Sequence, residues 1–307
     1  MLDKTAPSFL DELRAGGLVF DTGVDGIYGL DARFESVVEA VGNLATREGE
    51  ADGAERVRFP PAMPMAQLER GGYLKSFPHL AGAVHCFDGD ERGHREMMRR
   101  IHEGEDWSDT QAPTDIALTP AACYPIYPML AARGPLPEGG VLIDVLSWCF
   151  RHEPSIQPTR MQTFRMREYL RVGTPEPIVD FRRDWLGRAT AMVERLQLPF
   201  TIEAANDAFF GRTGRLMADN QKAQQLKFEL LIPINSGEPP TACMSFNHHL
   251  DHFGELWGIT TRDGAVAHSA CIAFGLERLA LALLRHHGFD LERWPAGVRA
   301  ALWPQAL

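Results

Sequence analysis

The stretch VLIDVLSWCFRHE, residues 141–153, is an apolar run that ends on Arg-His-Glu. A loop with two prolines follows it, and residues 162–172 form a second run in which apolar and charged side chains alternate imperfectly. Runs of this length that are rich in β-branched and aromatic residues are typical of strands. We therefore predict two consecutive strands, with charged side chains where the first one ends.

Further strand-like and helical segments surround this pair. The other strand-like segments are 226–234, 242–247 and an irregular, proline-containing edge strand at 56–64. Apolar residues at helical spacing predict helices over 32–47, 177–196 and 272–286, while the charge-rich segment 89–105 is predicted as an exposed helix or loop. There is no regular βαβ alternation, and neither GxGxxG nor GxxxxGK[ST] occurs. The sequence therefore predicts an α+β fold, a largely antiparallel sheet flanked by helices.

The composition narrows the class of protein. The chain has 307 residues, 45% of them hydrophobic and 23% charged, with a formal net charge of −10. Because binding to a nucleic-acid backbone depends on clustered Lys and Arg, this acidic balance disfavours a nucleic-acid partner. The first residues carry no apolar signal segment, Glu277 and Arg278 interrupt the best apolar run, and the five cysteines show no CxxC spacing. These features predict a cytoplasmic protein that does not enter a membrane.

Three short segments place charged residues on otherwise apolar elements. They are Phe150-Arg151-His152-Glu153, Lys227-Phe228-Glu229 and Gly275-Leu276-Glu277-Arg278-Leu279. A fixed arginine is a bidentate clamp for phosphate oxygens, and a glutamate can hold Mg²⁺, so the set could bind a nucleoside triphosphate. Taken singly, each charged residue is more often a surface or ion-paired side chain.

In this order, the segments resemble the catalytic core of the class II aminoacyl-tRNA synthetases. Residues 150–164 are similar to the second signature motif of that family, residues 275–279 to the third, and the helix over 32–47 with the strand after it to the first, which forms the dimer interface. The resemblance implies a homodimer that uses ATP and Mg²⁺, with Arg151, Arg278 and Lys227 as catalytic residues. It implies that Arg151 holds the α-phosphate and Arg278 the γ-phosphate. Arg160 and Met161 would flank the adenine, and Lys227 and Glu229 would lie beside the phosphates and Mg²⁺.

Within this class the chain resembles the seryl-tRNA synthetases, in the segments 118–125, 164–168 and 245–247. Cys123 stands where the ordinary enzymes have a glutamate. Together with Glu168 and Cys271 it resembles the site of atypical zinc-dependent members, in which a fourth position stays open for the amine of an amino acid. The sequence gaps of 45 and 103 residues are not in themselves a zinc signature. A rival metal set is His248, His249 and His252.

The amino acid:[carrier protein] ligases resemble the same core and lack a tRNA-binding domain. They charge the phosphopantetheine thiol of a carrier protein with glycine or alanine. The segment that resembles the first motif begins near residue 32, close to the start of this sequence, and the formal net charge is −10; both features favour this family. We therefore expect residues 1–307 to form a single catalytic domain, with no tRNA partner. The function predicted is ATP-dependent activation of a small amino acid, glycine preferred over alanine, as an aminoacyl-adenylate, followed by transfer to an acidic carrier protein. The alternatives are a zinc-dependent seryl-type aminoacyl-tRNA synthetase and a catalytically silent amino-acid-binding paralogue.

Two further sets of residues follow from this interpretation. The amino-acid pocket is predicted at Glu168 and at Ala242, Cys243, Met244, Ser245 and Phe246. Met244 and Phe246 would close the space beyond Cα, although each of them, taken singly, is more often a core residue. Docking of an acidic carrier requires a basic patch. The preferred candidates are Arg182, Arg183 and Arg188, and the alternative candidates are Arg92, Arg95, Arg99 and Arg100. Arginines of either set could instead form a solvated helix face.

Overall fold

A seven-stranded mixed sheet organises the computed structural model, which describes residues 7–207, 209–211, 218–219 and 221–304. In sheet order its strands are β3 (Glu55–Arg58), β7 (Val141–Phe150), β8 (Thr163–Gly173), β12 (His268–Gly275), β11 (Thr241–Leu250), β10 (Lys227–Ile232) and β9 (Thr201–Ala204). Neighbouring strands are antiparallel except β3 and β7, which are parallel. The prediction of an α+β fold on a largely antiparallel sheet is confirmed.

Two smaller sheets attach to the large one. The strands β1 (Val19–Asp21) and β2 (Tyr28–Leu30) form a hairpin, and β4 (Ala62–Pro64), β6 (Gln111–Leu118) and β5 (Ala83–Phe87) form a three-stranded antiparallel sheet. Region 56–64 is therefore not one strand as predicted, since β3 lies at the edge of the large sheet and β4 in the small one. Pro60 and Pro61 lie between them, and because proline has no amide hydrogen it interrupts a strand ladder.

Helices cover both faces of the large sheet. They are α1 (Phe9–Ala15), α2 (Ala32–Gly49), α3 (Met65–Arg70), α4 (Tyr73–Ser76), α5 (Glu91–Glu103), α6 (Ile126–Arg133), α7 (Pro175–Arg195), α8 (His252–Trp257), α9 (Leu276–His287) and α10 (Ala296–Leu302). One core lies between the sheet and α2, α7 and α9, and a second core lies under α6 and α8. Helix α5 has no buried residue, so segment 89–105 is an exposed helix. Within the described ranges, none of these helices has both the length and the apolar character to cross a bilayer.

The helix predicted over 272–286 begins later than expected. Strand β12 continues to Gly275, and α9 starts at Leu276. Ile272 and Phe274 are buried on one face of the sheet and Ala273 on the other, so the run is apolar throughout. Such a run does not show whether it is a buried strand or a buried helix. The boundary places Arg278 in the first turn of α9, beside the end of the strand.

A buried ion pair ties β7 to β8. Arg167 Nε lies 3.0 Å from Asp144 Oδ1, and both residues are buried. The replacement Asp144→Asn removes the charge partner of a buried guanidinium, so we expect the free energy of unfolding to fall by about 3 kcal/mol in urea denaturation. The matched control is Glu55→Gln, which breaks an exposed pair with Arg133 and is expected to cost less than about 1 kcal/mol. Equal losses in the two variants would contradict this prediction.

Candidate active site

Cys123, Glu168 and Cys271 meet on the sheet face that α6 and α8 cover. Glu168 and Cys271 lie on the neighbouring strands β8 and β12, where Glu168 is opposite Ala273 and Cys271 is opposite Leu170. Cys123 precedes α6, and its backbone amide donates to Glu168 Oε1 at 3.0 Å. The two sulfurs and a carboxylate oxygen of Glu168 all lie within 4.8 Å of one another. The structure therefore brings together the three predicted metal ligands, and all three residues are buried.

Burial makes these three side chains resist ionisation. Burial raises the pKa of Glu168. The hydrogen bond between Cys123 and Cys271 raises the pKa of the Cys123 thiol, and burial and the nearby charge of Glu168 raise it further. A hydrogen bond from Cys123 lowers the pKa of Cys271, but burial and the charge of Glu168 raise it overall. A divalent cation that replaces the protons would relieve this cost. Two thiolates and one carboxylate fit Zn²⁺ and leave the fourth position of a tetrahedron to another ligand.

The sequence analysis gave no role at this cluster to the polar residues that support it. Asn247 Nδ2 donates to Cys271 Sγ at 3.4 Å, and His249 Nε2 lies 3.7 Å from the same sulfur. The other ring nitrogen of His249 lies 3.2 Å from the Tyr127 hydroxyl. Burial lowers the pKa of His249 to about 3, so its ring is neutral. Such neighbours orient metal ligands. The signal was the two-residue period of β11, which places 245, 247 and 249 on one face.

The rival set of histidines does not form a metal site. Among the residues with described positions, Cys123, Glu168 and Cys271 are the group of His, Cys, Asp or Glu side chains close enough to share an ion. His248 and His249 are adjacent on β11 and therefore point to opposite faces. The ring of His248 lies 6.3 Å from that of His268, whereas the ring of His249 lies 6.4 Å from that of Tyr127.

Arg151 and Arg278 are partly buried and have no carboxylate oxygen within 4.0 Å in the described part of the chain. Arg151 follows β7, and its Nε donates to the Pro120 carbonyl at 3.0 Å. Arg278 donates from Nε to the Thr159 carbonyl and from Nη1 to the Ala242 carbonyl, both at 2.9 Å. Burial and the charge of Arg151 lower the pKa of Arg278. Cations that are fixed by neutral carbonyls and lack an anionic partner are suited to bind an anion.

Lys227 and Glu229 lie on the same sheet face as the cysteine cluster. Strand β10 pairs with β11 so that Lys227 is opposite Asn247 and Glu229 is opposite Ser245. Lys227 Nζ lies 3.0 Å from Glu229 Oε1 and 2.5 Å from Asp207 Oδ1. Asp207 follows β9 in a segment without periodicity, so no sequence pattern pointed to it. Lys227, Glu229 and Asp207 form a charged group that could meet phosphates and a hard cation.

The predicted closure of the amino-acid pocket is wrong. Met244 and Phe246 are buried in the core on the opposite face, with Trp185 and Phe274, because side chains alternate along β11. Ser245 lies between them in sequence and faces the cluster, where its hydroxyl accepts a hydrogen bond from Asn247 at 3.2 Å.

Three other predicted residues lie apart from the cluster. Cys243 and Met161 are buried in the same helix-side core as Met244. The Met161 side chain therefore does not lie beside the exposed side chain of Arg160, with which it was predicted to flank the adenine. Arg160 itself is exposed and lies 3.2 Å from a carboxylate oxygen of Glu153. The backbone carbonyl of Ala242 accepts the hydrogen bond from Arg278 Nη1.

The arginines predicted for carrier docking do not form one free patch on α7. Arg188 donates to both carboxylate oxygens of Asp52, at 2.6 and 2.8 Å. Arg183 is exposed and lies 2.8 Å from Asp180. Arg182 donates to a backbone carbonyl at 2.8 Å and is half-buried. Acidic neighbours thus offset much of the positive charge on this helix.

Comparison with known proteins identifies the family. A scan against protein-family models found no match. Two curated proteins of Bradyrhizobium diazoefficiens, amino acid–[acyl-carrier-protein] ligases 1 and 2, are 51% identical over 300 residues and 48% identical over 302. These alignments cover 97% and 98% of this chain and 92% and 90% of the relatives. The chain belongs to this ligase family. It is therefore an enzyme of the ligase class.

Aminoacyl-tRNA synthetases are more distant relatives of this ligase. The type-2 serine–tRNA ligase of Methanopyrus kandleri is 25% identical over 266 residues, and the alignment spans 79% of this chain and 50% of that protein. Among solved structures, M. kandleri SerRS in complex with A. aeolicus tRNASec superposes with a TM-score of 0.80 at 20% identity, over 98% of this chain and 62% of that one. Seryl-tRNA synthetase from Pyrococcus horikoshii gives a TM-score of 0.67 at 15% identity, over 93% of this chain and 60% of that one. The predicted class II synthetase fold is confirmed.

Proposed function

We propose that this protein activates a small amino acid with ATP, glycine in preference to alanine, and transfers it to the phosphopantetheine thiol of a carrier protein. The observation that carries the proposal is the buried Cys123–Glu168–Cys271 cluster, which shares a sheet face with Lys227. The names of the two Bradyrhizobium relatives, at 51% and 48% identity, support a carrier protein as the acceptor.

The cluster accounts for recognition of the amino acid. Zn²⁺ bound by Cys123, Glu168 and Cys271 would supply a coordination position for the neutral α-amine. Asn247 and His249 contact Cys271, and Tyr127 contacts His249; side chains this close to the cluster favour a substrate with little or no side chain. Discrimination against one methyl group is worth only about 1–3 kcal/mol, so weaker activity with alanine is expected.

Charge neutralisation accounts for the activation step. A carboxylate oxygen of the amino acid forms a bond to the α-phosphorus of ATP, and the bond to the β-phosphate oxygen breaks and releases pyrophosphate. The carboxylate is already ionised at neutral pH, so no general base is required. Arg151, Arg278 and Lys227 would offset the negative charge of the phosphates, with Glu229 beside Mg²⁺. Arg160, which is exposed, would lie along the adenine.

Transfer uses the nucleophilicity of the acceptor itself. A thiolate of the carrier attacks the carbonyl carbon of the aminoacyl-adenylate, a C–S bond forms, the C–O bond breaks and AMP leaves. Free thiols ionise with a pKa of about 8.5 and are strong nucleophiles, so a cysteine nucleophile of the enzyme is not needed. The buried cysteines support this view, because burial raises the pKa of Cys149 and raises that of Cys243 to about 12.

The decisive experiment is amino-acid-dependent ATP–pyrophosphate exchange with all twenty amino acids, with and without a zinc chelator. We expect zinc-dependent exchange with glycine and weaker exchange with alanine, followed by labelling of a holo-carrier protein. Charging of tRNA would support the seryl-type alternative instead. Absence of exchange with every amino acid would support the silent paralogue and contradict the proposal.

Carrier docking on α7 makes a separate prediction. Replacement Arg183→Glu is expected to lower kcat/KM for transfer to the carrier by about 3–10-fold and to leave exchange unchanged, because charge at an interface rim acts mainly on association. Arg95→Glu on α5 is the matched comparison, since Arg95 is 70% exposed and Arg183 is 69% exposed. Slower transfer in the Arg95 variant alone would assign docking to α5, and no effect in either would reject both patches.

We also propose that the protein is a homodimer. Strand β3 lies at one end of the large sheet, so its outer edge has no partner strand within the described residues. Proteins cover such edges, and a second copy is one way to do so. Light scattering at micromolar concentration measures the mass directly, and a monomer would contradict this proposal.

A further inference from the structure

A buried hydroxyl group beside the proposed site has no hydrogen-bond partner in the described part of the chain. It belongs to Tyr73, which opens the short helix α4 and is 4% exposed. None of the roles assigned above involves this residue. Buried hydroxyl groups without a partner are uncommon and destabilising, so a ligand that accepts its hydrogen bond would explain it.

Aromatic neighbours fix the ring of Tyr73. Its centre lies 5.1 Å from the ring of Phe77 and 5.5 Å from that of Tyr124, which it meets edge to face at 88°. Phe77 stacks in turn on Phe209, which follows β9, at 5.2 Å. Tyr124 directly follows the cluster residue Cys123 in the chain. These contacts hold the ring, so the hydroxyl keeps its position without a hydrogen bond of its own.

Backbone contacts bring the Tyr73 segment close to Arg151: Tyr73 and Leu80 share a small core, and the Leu80 carbonyl accepts a hydrogen bond at 3.1 Å from the amide of His152, the residue after Arg151. Burial raises the pKa of Tyr73 to about 12, so the hydroxyl keeps its proton near neutral pH. The charges of Arg151, Glu153 and Asp207 are close enough to influence that pKa. Arg151 uses its Nε for the Pro120 carbonyl, which leaves its Nη groups and the Tyr73 hydroxyl as donors without a protein acceptor among the described residues.

We propose that the Tyr73 hydroxyl donates a hydrogen bond to an anionic oxygen of the phosphate that Arg151 binds, as a further catalytic residue of the activation step. The inference rests on the proposed function, since it takes that anion to be the α-phosphate of ATP. A fixed neutral donor stabilises negative charge that develops in the transition state and adds no further cation to the site. Because it has no protein partner to leave, the hydroxyl can bind the phosphate without breaking a bond of the free enzyme.

The replacement Tyr73→Phe tests this inference, because it keeps the ring and removes only the hydroxyl. We expect kcat for glycine-dependent ATP–pyrophosphate exchange to fall by about 10- to 100-fold, the usual effect of losing one hydrogen bond to a charged group. The temperature of unfolding should not fall, since no protein hydrogen bond is lost. The matched control is Tyr169→Phe, whose hydroxyl donates to the Ala45 carbonyl at 3.0 Å in the helix-side core. That variant should be less stable and keep its kcat.

Two results would overturn the inference while the proposed function stands. One is a Tyr73→Phe variant whose kcat lies within twofold of wild type. The other is a variant whose unfolding temperature drops as much as that of Tyr169→Phe, because a structural hydroxyl lowers stability. Absence of exchange in the wild-type enzyme would overturn the proposed function and this inference together, so the two failures are distinguishable.

Discussion

Replacement of Cys271 by serine is expected to remove bound Zn²⁺ and to lower glycine-dependent ATP–pyrophosphate exchange by more than about 100-fold. Loss of an outer partner of a metal ligand already costs about 10–100-fold, and Cys271 is proposed as a ligand itself. Its sulfur lies within 4.8 Å of Cys123 Sγ and of a Glu168 oxygen, in a buried cluster. A serine hydroxyl is not ionised at neutral pH, so it does not replace a thiolate. Zinc per chain by plasma mass spectrometry and initial exchange rates are the two measurements.

Three variants serve as controls for this result. Cys86→Ser changes an exposed cysteine, and Cys149→Ala changes a buried cysteine outside the cluster; both should keep one zinc per chain. Asn247→Ala removes only the donor to Cys271 Sγ, so its loss of exchange should be intermediate, about 10-fold. A Cys271→Ser protein that retains its zinc would contradict the assignment of the cluster. Wild-type exchange that survives complete chelation would contradict it as well.

The strand pair β7 and β8 could be predicted because both runs are long and rich in β-branched and aromatic side chains. Residues 141–150 combine apolar character with β-branched and aromatic side chains, and β7 covers Val141–Phe150. The charged residues that end this strand also stood out, since Arg151 on an apolar element requires an explanation. The resemblance of these residues to synthetase motifs carried the prediction from a sheet to a specific fold.

Two of the errors fall where both faces of the sheet are buried. Strand β12 is apolar on both faces, so its end at Gly275 could not be distinguished from the start of a helix. Along β11, Met244 and Phe246 were assigned to the substrate because their size suited a small pocket. Their position one residue from Ser245 placed them in the opposite core. Face assignment depends on register with neighbouring strands, which one sequence does not show.

Composition and residue spacing alone do not reveal the cluster of Cys123, Glu168 and Cys271. Its three residues come from a turn and from two adjacent strands, and the register of β8 against β12 brings Glu168 and Cys271 together. No local motif encodes that register. Resemblance to a family located the cluster in the sequence, whereas the contacts of Asn247 and His249 with Cys271 are seen only in the structure.

Arg278→Met is expected to lower glycine-dependent exchange by about 1000-fold while leaving the free energy of unfolding within about 1 kcal/mol of wild type. The activity falls because two backbone carbonyls hold Arg278 Nε and Nη1 at 2.9 Å and so position the guanidinium for a phosphate. The stability is nearly unchanged because methionine keeps the apolar stem and removes a partly buried cation that has no carboxylate partner in the described structure. Removal of this cation favours the folded state, and loss of its two hydrogen bonds to backbone carbonyls offsets that stabilisation.

The matched control is Arg285→Met, on the same helix α9 but engaged with Glu12 at 3.0 Å. Since Arg285 has a carboxylate partner within the protein, its replacement should reduce stability and spare exchange, the reverse of the effect at Arg278. Exchange rates and urea denaturation of both variants distinguish an arginine that stabilises the folded protein from one that binds a phosphate. Exchange by Arg278→Met within tenfold of wild type would mean that the α9 arginine does not bind the phosphates, and the anion would then have to be placed at Arg151 and Lys227 alone.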